Sequence, residues 1–144
     1  MKKASWIVLT VGGVAVTLIS LISAGHAYNR GDNYAIGPTS VRGVAAGREE
    51  VATALRGIRG TSAAFAIAYG VLFLTLVLGP YRRGEVWAWW ALFAGSTTVL
   101  AIVLLRIPFL DTTHGNSAAV TQFTLVMLGL LLDVRRLKSA ARRE

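Results

Sequence analysis

The chain contains no cysteine and is poor in charge: 15% of its 144 residues are charged and only 7 are acidic. The missing thiols exclude disulfide exchange of the quinone-coupled kind, thiolate metal centres and a small secreted fold stapled by disulfides. A soluble domain carries roughly 25% charged residues, whereas here 54% of residues are apolar. So short a chain cannot bury that much apolar surface in one water-facing globule. Disorder is excluded by that balance, and a soluble enzyme fits it poorly.

The apolar residues are gathered into four stretches without a charge, Ala4–Gly25, Gly60–Tyr81, Val86–Leu105 and Thr112–Leu132. A helix rises about 1.5 Å per residue and needs about 20 residues to cross the hydrocarbon core. Each stretch meets that length, although Thr112–Ser117 at the head of the fourth is polar. Barrel strands would alternate, and runs such as Val71-Leu72-Phe73-Leu74 and Ala101-Ile102-Val103-Leu104-Leu105 do not. The pattern therefore predicts an all-α fold, a membrane-spanning four-helix bundle in one integral membrane domain over residues 1–144. Its spans are expected at about 4–25, 60–81, 86–106 and 117–133, with an outer loop at 26–59 and a basic inner tail at 134–144.

Charge placement sets the expected direction. Lys2, Lys3, Arg82, Arg83, Arg135, Arg136, Lys138, Arg142 and Arg143 lie in short segments beside span ends, where the positive-inside bias is strongest. Arg30, Arg42, Arg48, Arg56, Arg59 and Arg106 fall on the other side, most of them in the long loop. Both termini are expected in the cytoplasm, with the protein a multi-pass component of a bacterial inner (plasma) membrane. The net charge of +8 is then a basic edge beside anionic headgroups, with no nucleic acid implied. One alternative concerns the first span: Met1-Lys2-Lys3, an apolar run and Gly25-His26-Ala27 also outline a signal peptide. The run exceeds the usual signal core of about 7–15 residues, and Trp6 suits an interfacial anchor, so retention is the expectation.

The loop divides in two. Tyr28–Tyr34 is rich in turn formers and is expected to be irregular. Pro38-Thr39-Ser40 reads as a helix start with Thr39 or Ser40 as cap. From Val41 to Arg59, Val44, Val51, Leu55 and Ile58 share a stripe, which predicts an amphipathic extracytoplasmic helix, weakened near Gly43 and Gly47. Gly79-Pro80 is expected to end span two, and Pro108 span three. Trp87, Trp89 and Trp90 are expected at headgroup depth with wet indole N–H groups.

Candidate sites are few. No span holds an ionisable residue near its middle, whereas proton-coupled transporters keep one at membrane depth. The first span offers only Thr10, Thr17, Ser20 and Ser23 where small four-helix multidrug exporters carry a glutamate. In span two, Gly60, Ala64 and Ala68 recur every four residues beside Ser62, Ala66 and Gly70, a smooth face for helix packing. Polar residues gather at the outer span ends, and Arg59, Ser62, Tyr69, Arg106 and Gln122 are the candidate lining of an outward-facing pocket for a lipid or small amphiphile. Snorkelling of both arginines, with hydroxyls bonded to their own helices, is the simpler reading of the same residues. No metal motif is present; His26, His114 and Asp111, with Asp32 nearby, are the weak candidates. No catalytic residue and no cofactor is implied.

The segment Leu55-Arg56-Gly57-Ile58-Arg59-Gly60, leading into the small-residue stretch Thr61–Leu78 and followed by Arg106, resembles small bacterial four-helix integral membrane proteins grouped as a domain of unknown function. The resemblance covers most of the chain after the first span; it implies the topology and no activity. The leading expectation is a non-enzymatic scaffold or accessory subunit acting through helix packing, its partners the lipid bilayer and a membrane protein or second copy of the chain. The alternative is binding, with or without catalysis, of a lipid or small amphiphile near Arg59, Arg106 and Gln122.

Overall fold

A computed structural model describes residues 2–36, 38–110 and 116–134. Asp111, His114 and the basic tail beyond Val134 lie outside the described residues. The elements run α1 (Lys2–Tyr28), β1 (Ala35–Ile36), β2 (Thr39–Ser40), α2 (Val41–Ala45), α3 (Glu49–Leu76), a π-helical turn (Val77–Tyr81), α4 (Val86–Leu104), α5 (Arg106–Leu110) and α6 (Asn116–Leu131). The all-α expectation holds, a two-residue hairpin apart. Three helical stretches, Ala4–Tyr28, Glu49–Tyr81 and Val86–Phe109, are long and apolar enough to cross a membrane. Helix α6 is apolar but has 16 residues, about 24 Å at the helical rise.

The chain divides into two compact units, Met1–Val14 with Val71–Glu144, and Ala15–Gly70. In the first, α4 and α6 are antiparallel neighbours: Trp89, in the first turn of α4, donates its indole N–H to the carbonyl of Leu130 near the end of α6 at 3.2 Å. Leu9, Val77, Tyr81, Ala88, Leu92, Val126 and Leu130 are buried among these helices. Ser5, fully buried on α1, donates to the Gly129 carbonyl at 2.6 Å and shares a hydrogen bond with the Tyr81 hydroxyl. Such a hydroxyl ties helices together where water is absent. Gly129 is required by space: a Cβ there would stand 2.6 Å from Leu9 Cδ2 and 2.7 Å from its Cγ.

Span two does not stop at Gly79-Pro80. The helix continues as a π turn with Pro80 inside it. Proline has no N–H and its ring collides with the carbonyl four residues back; a turn widened to i→i+5 relieves both and lets the helix run to Tyr81. The Trp expectation divides. Trp87 and Trp90 are exposed, and Trp87 bonds the Glu85 carboxylate. Trp89 is 6% exposed and stacks on Phe93; its N–H is satisfied inside, by Leu130, so it is a packing residue.

In the second unit the second half of α1 packs on the first half of α3, and a small cap covers their ends. Asn29 makes the first loop turn, its side chain accepting from Gly31 N and its carbonyl from Asp32 N. β1 and β2 pair antiparallel, Ala35 with Ser40 and Ile36 with Thr39. Ser40 caps α2 by accepting from Gly43 N at 3.3 Å. Ala46 and Gly47, with φ of 48° and 82°, end α2; left-handed backbone of this kind is the usual helix stop. The expected amphipathic helix is therefore split: five residues form α2, and residues from Glu49 onward are the head of the helix that becomes span two. Tyr34, Val41, Ala45 and Ala52 form the cap's core, with Ile36, Val51 and Leu55 packed against it. Val44 and Ile58, placed on that stripe by the sequence, are exposed.

Candidate functional site

The best-developed polar cluster joins the end of α1, the loop and the second to third turns of α3. Ser23 and His26 lie three residues apart on α1, hence on one face. His26 Nδ1 bonds the Asp32 carboxylate, closing the loop onto the helix end. That hydrogen bond, before any other influence, holds the Asp32 carboxyl below the usual carboxylate range; desolvation opposes it, and the His26 charge, the Asn33 N–H and Arg59 act in the same lowering direction. Arg59, on α3, donates from Nε to Ser23 Oγ at 3.1 Å. Its guanidinium carbon stands 4.0 Å from the centroid of the Tyr34 ring, a cation–π contact. The ring in turn is anchored in the cap's core. One arginine thus touches α1, the loop before the hairpin and its own helix.

Neighbouring arginines are held differently. Arg56 bridges to Glu49 at 3.2 Å and to the carbonyl of Arg30 at 2.8 Å. Arg42 reaches the Gly31 carbonyl at 3.3 Å, and its backbone N–H bonds Asn33 Oδ1 at 2.9 Å. These contacts tie the loop 29–33 down from both sides. Arg59, like Arg42, has no carboxylate ion pair among the described residues, and it differs from both neighbours at the tip of its side chain. Its two terminal amino groups donate no hydrogen bond there. The Tyr34 hydroxyl is buried and likewise lacks a hydrogen-bond partner among the described residues.

No family model, curated protein or solved structure matches this chain. Its chemistry is read from its own residues alone.

The five residues named as a pocket lining are shared between the two units. Arg59, Ser62 and Tyr69 belong to the second unit, and Arg106 and Gln122 to the first. Ser62 is exposed and donates to the Ile58 carbonyl of its own helix at 2.9 Å, the self-satisfied arrangement of a helical hydroxyl. Tyr69 and Gln122 are half-buried, and Arg106 is exposed at the start of α5. Of the metal candidates, His26 meets Asp32 only, and no group of three His, Asp or Glu that could hold a metal exists among the described residues. His114 and Asp111 lie outside them.

The packing face also differs from the expected one. On α3 and its π turn, Gly60, Ala63, Gly70, Val77 and Tyr81 are buried, with Ile67 and Leu74 half-buried between them. Their spacing alternates three and four, the 3.5-residue repeat of a helix seam. Gly60 lies beside Tyr28 and Ala27, and Gly70 against Thr17. Ala66 is half-buried, whereas Ser62, Ala64 and Ala68 are exposed, outside the seam. Ala63 is the contact residue that the four-residue spacing missed.

Proposed function

We propose that this chain is a small multi-pass protein of a bacterial inner membrane, with four crossings and both termini cytoplasmic, acting as a scaffold or accessory subunit through helix packing. One observation carries the reading. Within the most apolar windows of the three long helices, 17%, 22% and 22% of residues are buried inside the protein. The rest of that apolar surface has to be covered by lipid or by another helix, because water cannot cover it cheaply. Small residues left open on α3, Ala64 and Ala68 with Thr61, suit a close-approaching helix better than they suit lipid tails. The partner is a membrane protein or a second copy of the chain.

The test is purification in mild detergent followed by native mass spectrometry. A stoichiometric partner or a defined oligomer, lost in Ala64→Leu or Ala68→Leu, is the expected outcome. A monomer whose behaviour those substitutions leave unchanged removes the packing reading. A second reading, binding of a lipid or amphiphile, is favoured by the terminal amino groups of Arg59, which donate no hydrogen bond among the described residues. In that reading Arg59 is the anchor of the pocket expected near Arg59, Arg106 and Gln122.

A further inference from the structure

We infer that Arg59 is the phosphate-binding residue of a built anion site, occupied by the headgroup of an anionic phospholipid at the level where α1 and α3 leave the hydrocarbon. The inference rests on the second reading above and names its ligand class and residues. Three features distinguish Arg59 from a snorkelling side chain. First, its guanidinium is fixed at two points, by the Nε bond to Ser23 at 3.1 Å and by the Tyr34 ring at 4.0 Å. Second, the fixing leaves the two terminal amino groups without a partner among the described residues, and this forked edge matches two oxygens of a phosphate or carboxylate. Third, Tyr34, the platform, is 9% exposed and its hydroxyl has no hydrogen-bond partner among the described residues.

The surrounding charges are compatible with an anion. Asp32, a carboxylate within electrostatic reach of Arg59, is engaged by His26. Glu49 is engaged by Arg56. Arg30, exposed on the loop, adds a cation on the same cap. Exposed Ile22 and Ile58, each next in sequence to Ser23 or Arg59, supply apolar surface at the same level. A group with an anionic head and acyl tails meets both features; a free phosphate meets only the first.

The experiment places the full chain in nanodiscs of phosphatidylcholine with a minor fraction of phosphatidylglycerol, and reads the preference for the anionic lipid by native mass spectrometry of retained lipid. The expected preference falls about tenfold in Arg59→Gln, the loss of one charge-assisted forked contact. It falls less in Arg59→Lys, which keeps the charge and loses the fork. Arg48→Gln, an exposed arginine of the same cap, keeps it. Equal retention in wild type, Arg59→Gln and Arg59→Lys overturns the site. An equal loss in Arg48→Gln also overturns it, since diffuse attraction then suffices. Displacement of the lipid by millimolar inorganic phosphate overturns the lipid as occupant and reassigns the site to a soluble anion. Because Arg59→Gln could unfold the cap, Arg59→Lys is the deciding variant if the melting temperature of Arg59→Gln drops. Failure of the wild-type chain to enter the discs is seen before any lipid is compared, and overturns the membrane reading itself.

Discussion

Gly129 and Gly12 provide a matched pair of substitutions that separates packing from propensity. At Gly129 a methyl group would lie 2.6 Å from Leu9 Cδ2 and 2.7 Å from Leu9 Cγ, and Leu9 is 1% exposed. The contact includes Cγ as well as the chain tip, so Leu9 cannot escape by rotating its end, and its surroundings are full. Overpacking of this kind costs about 1–3 kcal/mol. The helix-propensity gain of about 1 kcal/mol from Gly to Ala offsets only part of it. At Gly12, on α1, a Cβ meets nothing within 4 Å, so only the propensity gain remains. In detergent, Gly129→Ala should therefore melt below wild type and Gly12→Ala at or above it. For a chain of this size the separation is roughly 2–4 °C per kcal/mol. Truncating the opposing residue supplies the internal check: Leu9→Ala with Gly129→Ala should be less destabilised than the two single effects added together, a favourable coupling between touching residues. Equal melting of Gly12→Ala and Gly129→Ala, or strict additivity with Leu9→Ala, would refute the contact between α1 and α6.

Other expectations follow from single contacts. Ser5→Ala removes the donor to the Gly129 carbonyl and one bond of the Tyr81 hydroxyl; it should cost about 1–3 kcal/mol through the buried Gly129 carbonyl left without that donor, read by denaturant titration in mixed micelles. Trp89→Phe should destabilise by about 1 kcal/mol through the lost bond to Leu130, while Trp90→Phe, at an exposed position, should leave the melting point unchanged. The lowered Asp32 carboxyl stabilises the cap above the unfolded carboxylate value of about 4, and that contribution is lost as pH falls through the depressed folded value. Hydrogen exchange at the Val41 and Arg42 amides, which bond Tyr34 and Asn33, should accelerate in that acid window in wild type beyond the intrinsic rate and lose the excess in Asp32→Asn.

The helices were legible in the sequence because unbroken apolar runs of that length leave the backbone little choice: with no water to bond, it bonds to itself. The cap's start was legible too, since Ser40 before Val41 is a capping residue ahead of a helical pattern. Three features were not. Strands of two residues carry no periodicity, so the pairing of Ala35 with Ser40 left no signal. The choice of Trp89 as the internal indole depends on where the Leu130 carbonyl lies, 41 positions away. The seam on α3 was legible in part: Gly60 and Gly70 are buried, whereas Ala64 and Ala68 are exposed and burial runs through Ala63 and Ile67. Both rows depart from Gly60 by up to about 80° at 3.6 residues per turn, so spacing does not choose between them; the choice is made by what lies alongside, Tyr28 and Ala27 at Gly60 and Thr17 at Gly70. Arg59 was visible as an arginine at a span end, but its brace on Ser23 and the Tyr34 platform arise from loop closure.

The absence of native cysteine makes single-cysteine labelling the most direct measurement of whether the chain crosses the bilayer four times. Lys3→Cys, Arg48→Cys and Ala140→Cys are each expressed alone and exposed to a membrane-impermeant maleimide in intact and in permeabilised cells. The expected result is labelling of Arg48→Cys in intact cells, with the other two reacting only after permeabilisation of the inner membrane. Labelling of Lys3→Cys and Ala140→Cys from opposite sides would contradict it, because an odd number of crossings would then separate the two ends.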